Sequence, residues 1–339
     1  MKRIGFIYED IFSRENIAYA MEKAACGKRS HDNVKNILNN KSHYVNMIYN
    51  MMKDHKFVPS LYIHEEILEC ANKKVRVLSK TRYYPDQIVY WCLYNKLYPT
   101  FTKPLIRNTF SCIRGRGQID GMRRVCKKLY TCKKLTKYYL KCDIRKFFPS
   151  VDNQLLYKMI ERKVKDPHVL TVLADMFALE PGIPLGNVLS QLFSNYFLNE
   201  LDHELEPGGL YFRYADDMIL FSNSKKKLHE RRRFIDQWLK EHNLQLKDNW
   251  QIYVTAKNKV DFMGFRMDGH CCIMRKRIMY RFNRAVTRWR KHKSVHNAGS
   301  VMSYFGWLKY TYTVKFKEDR VDPFVDKEHV RAILQFRCT

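Results

Sequence analysis

The sequence predicts an α+β fold in which an antiparallel sheet is backed by helices and preceded by a helical extension. Two apolar, aromatic runs flank an Asp-Asp pair in Leu210–Phe221, as in a hairpin with the acids at its tip. A second strand-like run, Tyr138–Ser150, carries one acid near its end. Apolar residues recur at helical spacing through the first 65 residues and again between Met274 and Lys291.

The acids of these two runs suggest a metal site. Asp216 and Asp217 are adjacent carboxylates, which repel each other at a rigid turn unless a cation lies between them. Mg²⁺ suits such a place because it takes few carboxylates and completes its shell with water and substrate phosphates. An exposed Asp-Asp turn is the alternative interpretation. Asp143 favours the metal site, because three carboxylates can clamp two divalent ions for phosphoryl transfer to a 3′-hydroxyl.

Composition indicates the kind of partner. The chain has 339 residues, enough for two or three subdomains, and its 62 Lys and Arg against 34 Asp and Glu give a formal net charge of +28. This charge predicts a polyanionic partner, and nucleic acid is favoured over a membrane surface because no apolar run has spanning length.

The amino terminus has too short an apolar core for a signal peptide. Ten scattered cysteines without a C-x-x-C pair are expected to be reduced thiols of a cytoplasmic protein.

Three motifs resemble those of reverse transcriptases. Tyr214–Asp217 is similar to their YxDD box, and Asp143–Phe148 to the motif that supplies their third acid. Most of these enzymes, including those of group II introns and retrons, then carry a Q-G-x-x-x-S-P motif. Here Leu185–Gln191 has an L-G-N-x-x-S-Q form, which resembles the reverse transcriptases of diversity-generating retroelements, and Ser303–Lys309 agrees with this. The resemblance covers roughly residues 70–312.

The resemblance implies a right-hand polymerase with an N-terminal helical extension. Its expected divisions are residues 1–65 for the extension, 66–140 for the fingers, 141–268 for the palm with a fingers-derived segment near 160–185, and 269–339 for the thumb. The extension shows no legible chemistry and is expected to pack on the next domain, with RNA contact by its basic side as the alternative. Trp307, Tyr310 and Tyr312 are expected to form a small thumb core.

The resemblance also implies roles for residues of the polymerase site. Asp143, Asp216 and Asp217 are the expected catalytic acids, and with Ile144 they are the expected ligands of two Mg²⁺ ions, for which Mn²⁺ can substitute. The residues expected to bind the incoming nucleotide are Arg76, Phe148, Leu185, Gly186 and Lys247. Phe148 would exclude a 2′-hydroxyl, and Lys247 competes with Lys257 and Lys259 as proton donor to pyrophosphate. A surface arginine and a core phenylalanine are the alternative interpretations of Arg76 and Phe148.

Two basic surfaces are expected to bind nucleic acid. Arg114 and Arg116 lie in a glycine-containing loop before a helix that starts near Ile119. In the family, a similar loop of the fingers contacts the template strand. A basic helix from Met274 carries an arginine stripe beside an apolar stripe, which suits a thumb helix along a duplex backbone rather than a merely solvated face. The arginines of that stripe are Arg277, Arg281, Arg284 and Arg288.

The expected function is RNA-templated DNA synthesis that is error-prone at template adenines, as in mutagenic retrohoming. A defence-associated or template-independent polymerase on the same palm is one alternative, and a catalytically idle RNA-binding scaffold is another. The resemblance implies three partners: a template RNA, an RNA/DNA duplex and a small, basic, oligomeric accessory protein. It also implies a bacterial, archaeal or phage origin. The sequence shows no obvious RNase H domain, endonuclease domain or zinc-finger maturase tail.

Overall fold

The computed structural model describes residues 3–69 and 74–335. Its first part is a layer of four helices: α1 (Tyr8–Ile11), α2 (Arg14–Ala24), α3 (Asp32–Asn39) and α4 (Lys41–Lys53). Ser13 caps α2 by accepting a hydrogen bond from the Asn16 backbone N–H. The apolar sides of these helices join the core around a later helix, α5 (Ile88–Thr102). The predicted helical extension is therefore confirmed, although its expected limit at residue 65 falls inside a strand.

A two-stranded ribbon follows, built from β1 (Ile63–Glu69) and β2 (Lys74–Lys80) in antiparallel register. The strand expected from residue 73 is confirmed for Lys74–Lys80, and residue 73 lies outside the described part. A wide turn, Tyr83–Gln87, leads into α5 (Ile88–Thr102), and α6 spans Gln118–Thr131. The helix start expected near Ile119 is therefore placed within one residue.

The central sheet has the strand order β4–β5–β3–β6, and all of its neighbouring strands are antiparallel. Its strands are β3 (Tyr138–Asp143), β4 (Tyr211–Tyr214), β5 (Asp217–Ser222) and β6 (Gln251–Val254). The helices between these strands are α7 (Phe147–Ser150), α8 (Asn153–Glu161), α9 (Pro167–Ala178), α10 (Val188–Phe197), α11 (Asn199–Leu205) and α12 (Lys225–Glu241). Helices and sheet together give the expected α+β fold.

The two faces of this sheet are buried in different cores, as the period of two in a strand requires. Leu140 and Leu220 point into the large core that contains α5 and α10. Tyr139, Ile219 and Phe221 point the other way, into a second core with α6 and the next sheet. Asp143 and Asp217 have the same parity as this second set, so they lie on the face that the second core covers only in part.

The C-terminal part begins with a three-stranded sheet and ends in four helices. Its elements are β7 (Val260–Phe262), β8 (Phe265–Met267), β9 (Cys272–Met274), α13 (Lys276–Lys291), α14 (Val295–Leu308), α15 (Val314–Arg320) and α16 (Lys327–Gln335). Met274 is the last residue of β9, so the predicted basic helix starts two residues later than expected. Trp307 packs between two cores, but Tyr312 is 75% exposed, and its expected place in a thumb core is wrong.

Two features of the described chain bear on its surroundings. Across residues 3–69 and 74–335, no helix combines the length and apolarity needed to span a bilayer. The eight cysteines in the same ranges are free thiols.

Candidate active site

The Asp-Asp pair lies at the end of a tight hairpin. Strands β4 and β5 are joined by Ala215 and Asp216, and Tyr214 pairs with Asp217 across the hairpin. Ala215 has a φ of +54°, in the left-handed region that non-glycine residues seldom adopt. The interior of both strands is buried. The predicted hairpin is confirmed, with Asp216 in its turn and Asp217 as the first residue of β5.

The third acid is brought to the same place by strand pairing. Asp143 is the last residue of β3 and lies directly opposite Asp217 in the antiparallel register. Side chains of directly opposed residues stand on the same face of a sheet, about 5 Å apart at their Cβ atoms. The three carboxylates therefore share one end of the central sheet.

The carboxylates occupy an environment that resists negative charge. Burial, together with the charge of Asp143 and a hydrogen bond to it, raises the pKa of Asp216 to about 6. Burial also raises the pKa of Asp217 to about 7, and the nearby Lys141 offsets only part of this. Oδ1 of Asp143 and Oδ1 of Asp217 are buried and lack hydrogen-bond partners. Orphaned carboxylate oxygens of this kind fit a divalent cation, which would satisfy both.

The protein supplies only part of a metal coordination shell. Within residues 3–69 and 74–335, no three His, Cys, Asp or Glu side chains converge closely enough to hold a metal by themselves. Mg²⁺ commonly binds through one or two carboxylates plus water and substrate phosphates. The three acids fit this open type of site.

Two lysines contact the acids. Nζ of Lys247 lies 2.5 Å from Oδ2 of Asp143, and the Lys247 backbone N–H donates to the Asp143 carbonyl, 2.9 Å away. Lys259 instead pairs with Asp268 at 2.6 Å, and Lys257 is exposed. Among the three competing lysines, Lys247 is thus the one placed at the site.

Ile144 is fully buried and forms a β-bridge with Leu246.

Lys141 was not predicted from the sequence. Its Nζ lies 4.0 Å from Oδ2 of Asp217 and donates to the backbone carbonyl of Asp261, 2.8 Å away. It therefore ties the β4–β5 hairpin to the β7–β8 hairpin. Its position two residues before Asp143 on one strand, hence on the same face, was the available signal.

The loop of residues 181–187, here called the substrate loop, connects several residues expected to bind the nucleotide. The Ile183 backbone N–H donates to the Phe148 carbonyl at 2.8 Å, and the Ser79 N–H donates to the Leu185 carbonyl at 2.8 Å. Gly182 has a φ of +79°, and a Cβ there would come within 2.7 Å of the Pro149 backbone, so only glycine fits. The loop thus lies between Phe148 and β2, the strand that carries Arg76 opposite Ile67.

The two phenylalanines after Asp143 occupy different environments. Phe147 is 2% exposed and belongs to the large core. Phe148 is only partly buried and packs against that core from outside, beside the substrate loop. This arrangement leaves Phe148 available for contact with a ligand.

The two arginines expected to follow the template differ in the structure. Arg114 is exposed, and its guanidinium lies 4.6 Å from the centre of the Tyr98 ring. Arg116 is half-buried and donates to the backbone carbonyl of Ile106 at 2.6 Å, so it also braces its own loop. Template contact by either arginine stays a prediction.

The basic helix α13 is amphipathic, as predicted. Phe282, Ala285 and Trp289 are buried in the third core. Along the other side, Arg277, Arg284 and Arg288 are exposed and Arg281 is half-buried. Contact of these arginines with a duplex stays a prediction.

A buried ion pair beneath the β4–β5 hairpin was not predicted either. Arg213 and Asp202 are both fully buried, with Nε to Oδ1 and Nη2 to Oδ2 distances of 2.7 and 2.6 Å. Nη1 of Arg213 also donates to the carbonyl of Ala215 at 3.0 Å and to Oδ1 of Asn195 at 3.2 Å. Tyr211 donates its hydroxyl proton to Asp202 at 2.8 Å. This network fixes the backbone of the turn that carries Asp216.

Known proteins are similar to parts of this chain. The reverse transcriptase (RNA-dependent DNA polymerase) family profile matches residues 71–267, more than half of the 339 residues. Protein YkfC of Escherichia coli strain K12 is 26% identical over 49% of this chain and 54% of its own length. The retron Ec73 reverse transcriptase of Escherichia coli is 26% identical over 43% of this chain and 50% of its own length.

The chain therefore spans about half the length of the curated relatives it matches. Among solved structures, telomerase from Candida tropicalis, in complex with a TWJ fragment of telomeric RNA, covers 87% of this chain and 57% of its own. That likeness has 10% sequence identity and a TM-score of 0.49. The family match includes Asp143, Asp216 and Asp217. The chain belongs to the reverse transcriptase (RNA-dependent DNA polymerase) family.

Proposed function

We propose that this protein is an RNA-directed DNA polymerase. The observation that carries the proposal is the meeting of Asp143, Asp216 and Asp217 at one end of the central sheet, in a chain of the reverse transcriptase family. Two orphaned carboxylate oxygens support a metal-dependent reaction there. The net charge of +28 supports a nucleic-acid substrate.

The chemistry divides between the ions and the chain. The three acids, with the carbonyl of Ile144, would hold two Mg²⁺ ions, which when bound polarise the phosphates and lower the pKa of the primer 3′-hydroxyl. Lys247, which pairs with Asp143, would hold a proton at Nζ for the departing pyrophosphate, and Lys141, 4.0 Å from Asp217, would help to orient that carboxylate. The chain needs no side-chain nucleophile, since positioning and charge stabilisation supply catalysis of phosphoryl transfer.

The domain assignment is part of this proposal. We assign the fingers to the β1–β2 ribbon and helices α5 and α6, the palm to the central sheet with its helices, and the thumb to α13–α16. The exposed arginines of α13 would then lie along the duplex backbone.

Primer extension tests the proposed activity. A DNA primer annealed to a defined RNA template, with dNTPs and Mg²⁺, should yield DNA complementary to the template. With an RNA template of scrambled sequence, the product should be the DNA complementary to that scrambled sequence. Product that ignores the template sequence would favour a template-independent polymerase. Absence of product, even with a cognate RNA and accessory protein supplied, would favour an RNA-binding scaffold.

Metal binding should depend on pH in a defined direction. Because the pKa values of Asp216 and Asp217 are raised to about 6 and 7, protons compete with cations below neutral pH. Mg²⁺ at about ten times its Kd should stabilise the fold by ~1.4 kcal/mol at pH 8, a few degrees in Tm, and by much less at pH 5.5. Differential scanning fluorimetry of wild type and Asp217→Asn measures this. An equal shift in the variant would mean that the ion binds elsewhere.

Phe148 is proposed to select deoxynucleotides. Removing its ring in Phe148→Ala should raise the kcat/KM for CTP relative to dCTP by at least about tenfold, since a ring beside the sugar excludes the 2′-hydroxyl. Single-nucleotide insertion opposite template guanine measures both constants. Phe147→Leu is the matched control. Because Phe147 is buried in the core, this substitution should lower the stability of the protein without changing its discrimination between the two sugars. An unchanged ratio in Phe148→Ala would remove the role.

The mutagenic function is the finer proposal, and it rests on Leu185. A glutamine in the family's usual pattern offers directional hydrogen bonds at this position, whereas leucine offers contact alone. Leu185→Gln should therefore lower misincorporation opposite template adenine by about 2–10-fold, the value of one hydrogen bond of ~0.5–1.5 kcal/mol. The loop should stay in place, because its anchor to Ser79 is the Leu185 backbone carbonyl. Sequencing of extension products measures the rate, with Leu185→Met as an apolar control that keeps the wild-type error rate.

A retron-like polymerase with ordinary fidelity is the second candidate, favoured by the similarity to the retron Ec73 enzyme. Error spectra decide between the two. Errors spread evenly over all four template bases would support the retron-like candidate. A dedicated template RNA and a small basic accessory protein stay predictions from the resemblance.

A further inference from the structure

A cluster of exposed lysines surrounds the end of the central sheet that lies away from the three acids. In the register of β3 and β5, Asp143 faces Asp217 at one end and Tyr138 faces Ser222 at the other. The residue steps from Tyr138 to Asp143 amount to about 17 Å. The segments at the Tyr138 end form a basic patch, here called the rear surface. Its lysines are Lys133, Lys134, Lys137, Lys225, Lys226 and Lys227.

The chain leaves the charge of the rear surface unneutralised. Within residues 3–69 and 74–335, none of these lysines forms an ion pair with a carboxylate. Nζ of Lys137 and Nζ of Lys225 instead each lie 5.5 Å from the centre of the Tyr138 ring. At the other end of α12, by contrast, Lys240 pairs with Asp236 at 3.0 Å. A local excess of positive charge that the protein does not balance fits an anionic partner.

Three of the lysines occupy an unfavourable place on α12. Lys225, Lys226 and Lys227 form its first turn, which contains no acidic residue, and the side chain of the N-cap residue Ser224 makes no capping hydrogen bond. The helix dipole disfavours cations at this end of a helix. Because these lysines oppose the stability of their own helix, binding explains their presence better than folding does.

An apolar cavity of about 270 Å³ opens beside the lysines. Phe221 and Leu228 form part of its wall, and Leu135, which is 46% exposed, lies at its mouth. Lys227 and Arg231 add positive charge to the lining, and among the described residues of that lining none carries a carboxylate. The volume is below the ~300–1,000 Å³ of most small-molecule sites, so the cavity suits an inserted side chain.

We propose that the rear surface and this cavity bind an acidic segment of a protein partner. One apolar side chain of the segment enters the cavity, and its carboxylates pair with the surrounding lysines. The largely aliphatic wall favours protein over nucleic acid, because the polar edges of a buried nucleobase would lose water without gaining hydrogen bonds. The positive charge favours an acidic segment over the basic accessory protein expected from the resemblance.

The bound segment would leave the three acids accessible, because the rear surface lies at the opposite end of β3. The inference therefore goes beyond the proposed polymerase activity and does not depend on it.

Fluorescence anisotropy with two labelled peptides tests the inference. Both peptides have about twelve residues, are rich in Glu, and differ only in a central residue, which is Leu in one and Ser in the other. At physiological salt, we expect wild type to bind the Leu peptide about tenfold or more tightly than the Ser peptide, the value of burying one apolar side chain.

Two variants separate the lysines from the cavity. Lys226→Gln/Lys227→Gln should weaken the binding of both peptides by about threefold or more, and should raise Tm because two cations leave the N-terminus of α12. Leu135→Ser should weaken the binding of the Leu peptide alone. Lys53→Gln/Lys56→Gln is the matched control, because it removes the same charge at the end of α4, outside the rear surface.

The opposite outcomes are as specific. Equal affinity for the two peptides, or peptide binding that Lys226→Gln/Lys227→Gln leaves unchanged, would overturn the inference. Binding of a single-stranded RNA of about twelve nucleotides that is weakened by this variant and also by Leu135→Ser would assign the cavity to nucleic acid instead. Primer extension by wild type reports separately on the proposed polymerase activity, so either proposal can fail while the other stands.

Discussion

Asp216→Asn is expected to reduce nucleotide incorporation by about a thousandfold or more while leaving the protein at least as stable as wild type. The loss follows because the carboxylate would share in holding ions that contribute several kcal/mol of transition-state stabilisation. The retained stability has a different cause, which is the unfavourable burial of the Asp216 charge. Burial and the charge of Asp143 raise the pKa of Asp216 to about 6, so at pH 7.5 its ionised form opposes folding in metal-free buffer. Single-turnover extension and thermal unfolding in EDTA measure the two effects.

Asp268→Asn is the matched control for that variant. Burial raises the pKa of Asp268, but hydrogen bonds from Lys259 and from the backbone N–H groups of His270 and Cys271 outweigh it and hold the pKa at about 2. The ionised form therefore favours folding, and its loss should lower Tm at pH 7.5 with little effect on incorporation. If both variants lost activity and stability together, Asp216 would be a structural residue and not a catalytic one.

The sequence predicted best those parts of the site where periodicity and chemistry coincide. The apolar runs around Asp216 and Asp217 have the composition of two strands joined by a tight turn, and the run with Asp143 near its end was expected to be an adjacent strand. The sequence did not predict the register, but the observed one agrees with burial, because a shift by one residue would turn every core side chain of β3 and β5 to the wrong face.

Other parts were not predictable because their cause is tertiary. Polar and apolar residues do not alternate regularly in β1, because the β1–β2 ribbon is exposed on both sides. Ile63 and Leu68 lie on opposite faces of the ribbon, and they are 58% and 57% exposed. Lys28 lies in the loop between α2 and α3, and only the packing of α2 on α5 brings it to the substrate loop. The burial of Arg213 likewise depends on a partner on another element, which local sequence does not reveal.

Breaking the buried Arg213–Asp202 pair should have the largest effect on stability. Arg213→Met or Asp202→Leu alone leaves one charge without its partner in the core, which is expected to cost about 3–5 kcal/mol of the free energy of unfolding. The exposed, bidentate pair of Arg107 and Asp120 is the control, with distances of 2.7 and 3.1 Å. Arg107→Met should cost less than about 1 kcal/mol. Urea unfolding gives these values, and a small cost at Arg213 would contradict the prediction.

The double variant Asp202→Leu/Arg213→Met separates stability from activity. Replacing both charges by apolar side chains should restore most of the free energy of unfolding, because neither charge is then left unpaired. Activity should stay low by about 10–100-fold, since Nη1 of Arg213 no longer holds the carbonyl of Ala215, the residue before Asp216. Recovery of kcat together with stability would show that the pair only fills the core. Stability without kcat would mean that the conformation of the catalytic turn depends on this guanidinium.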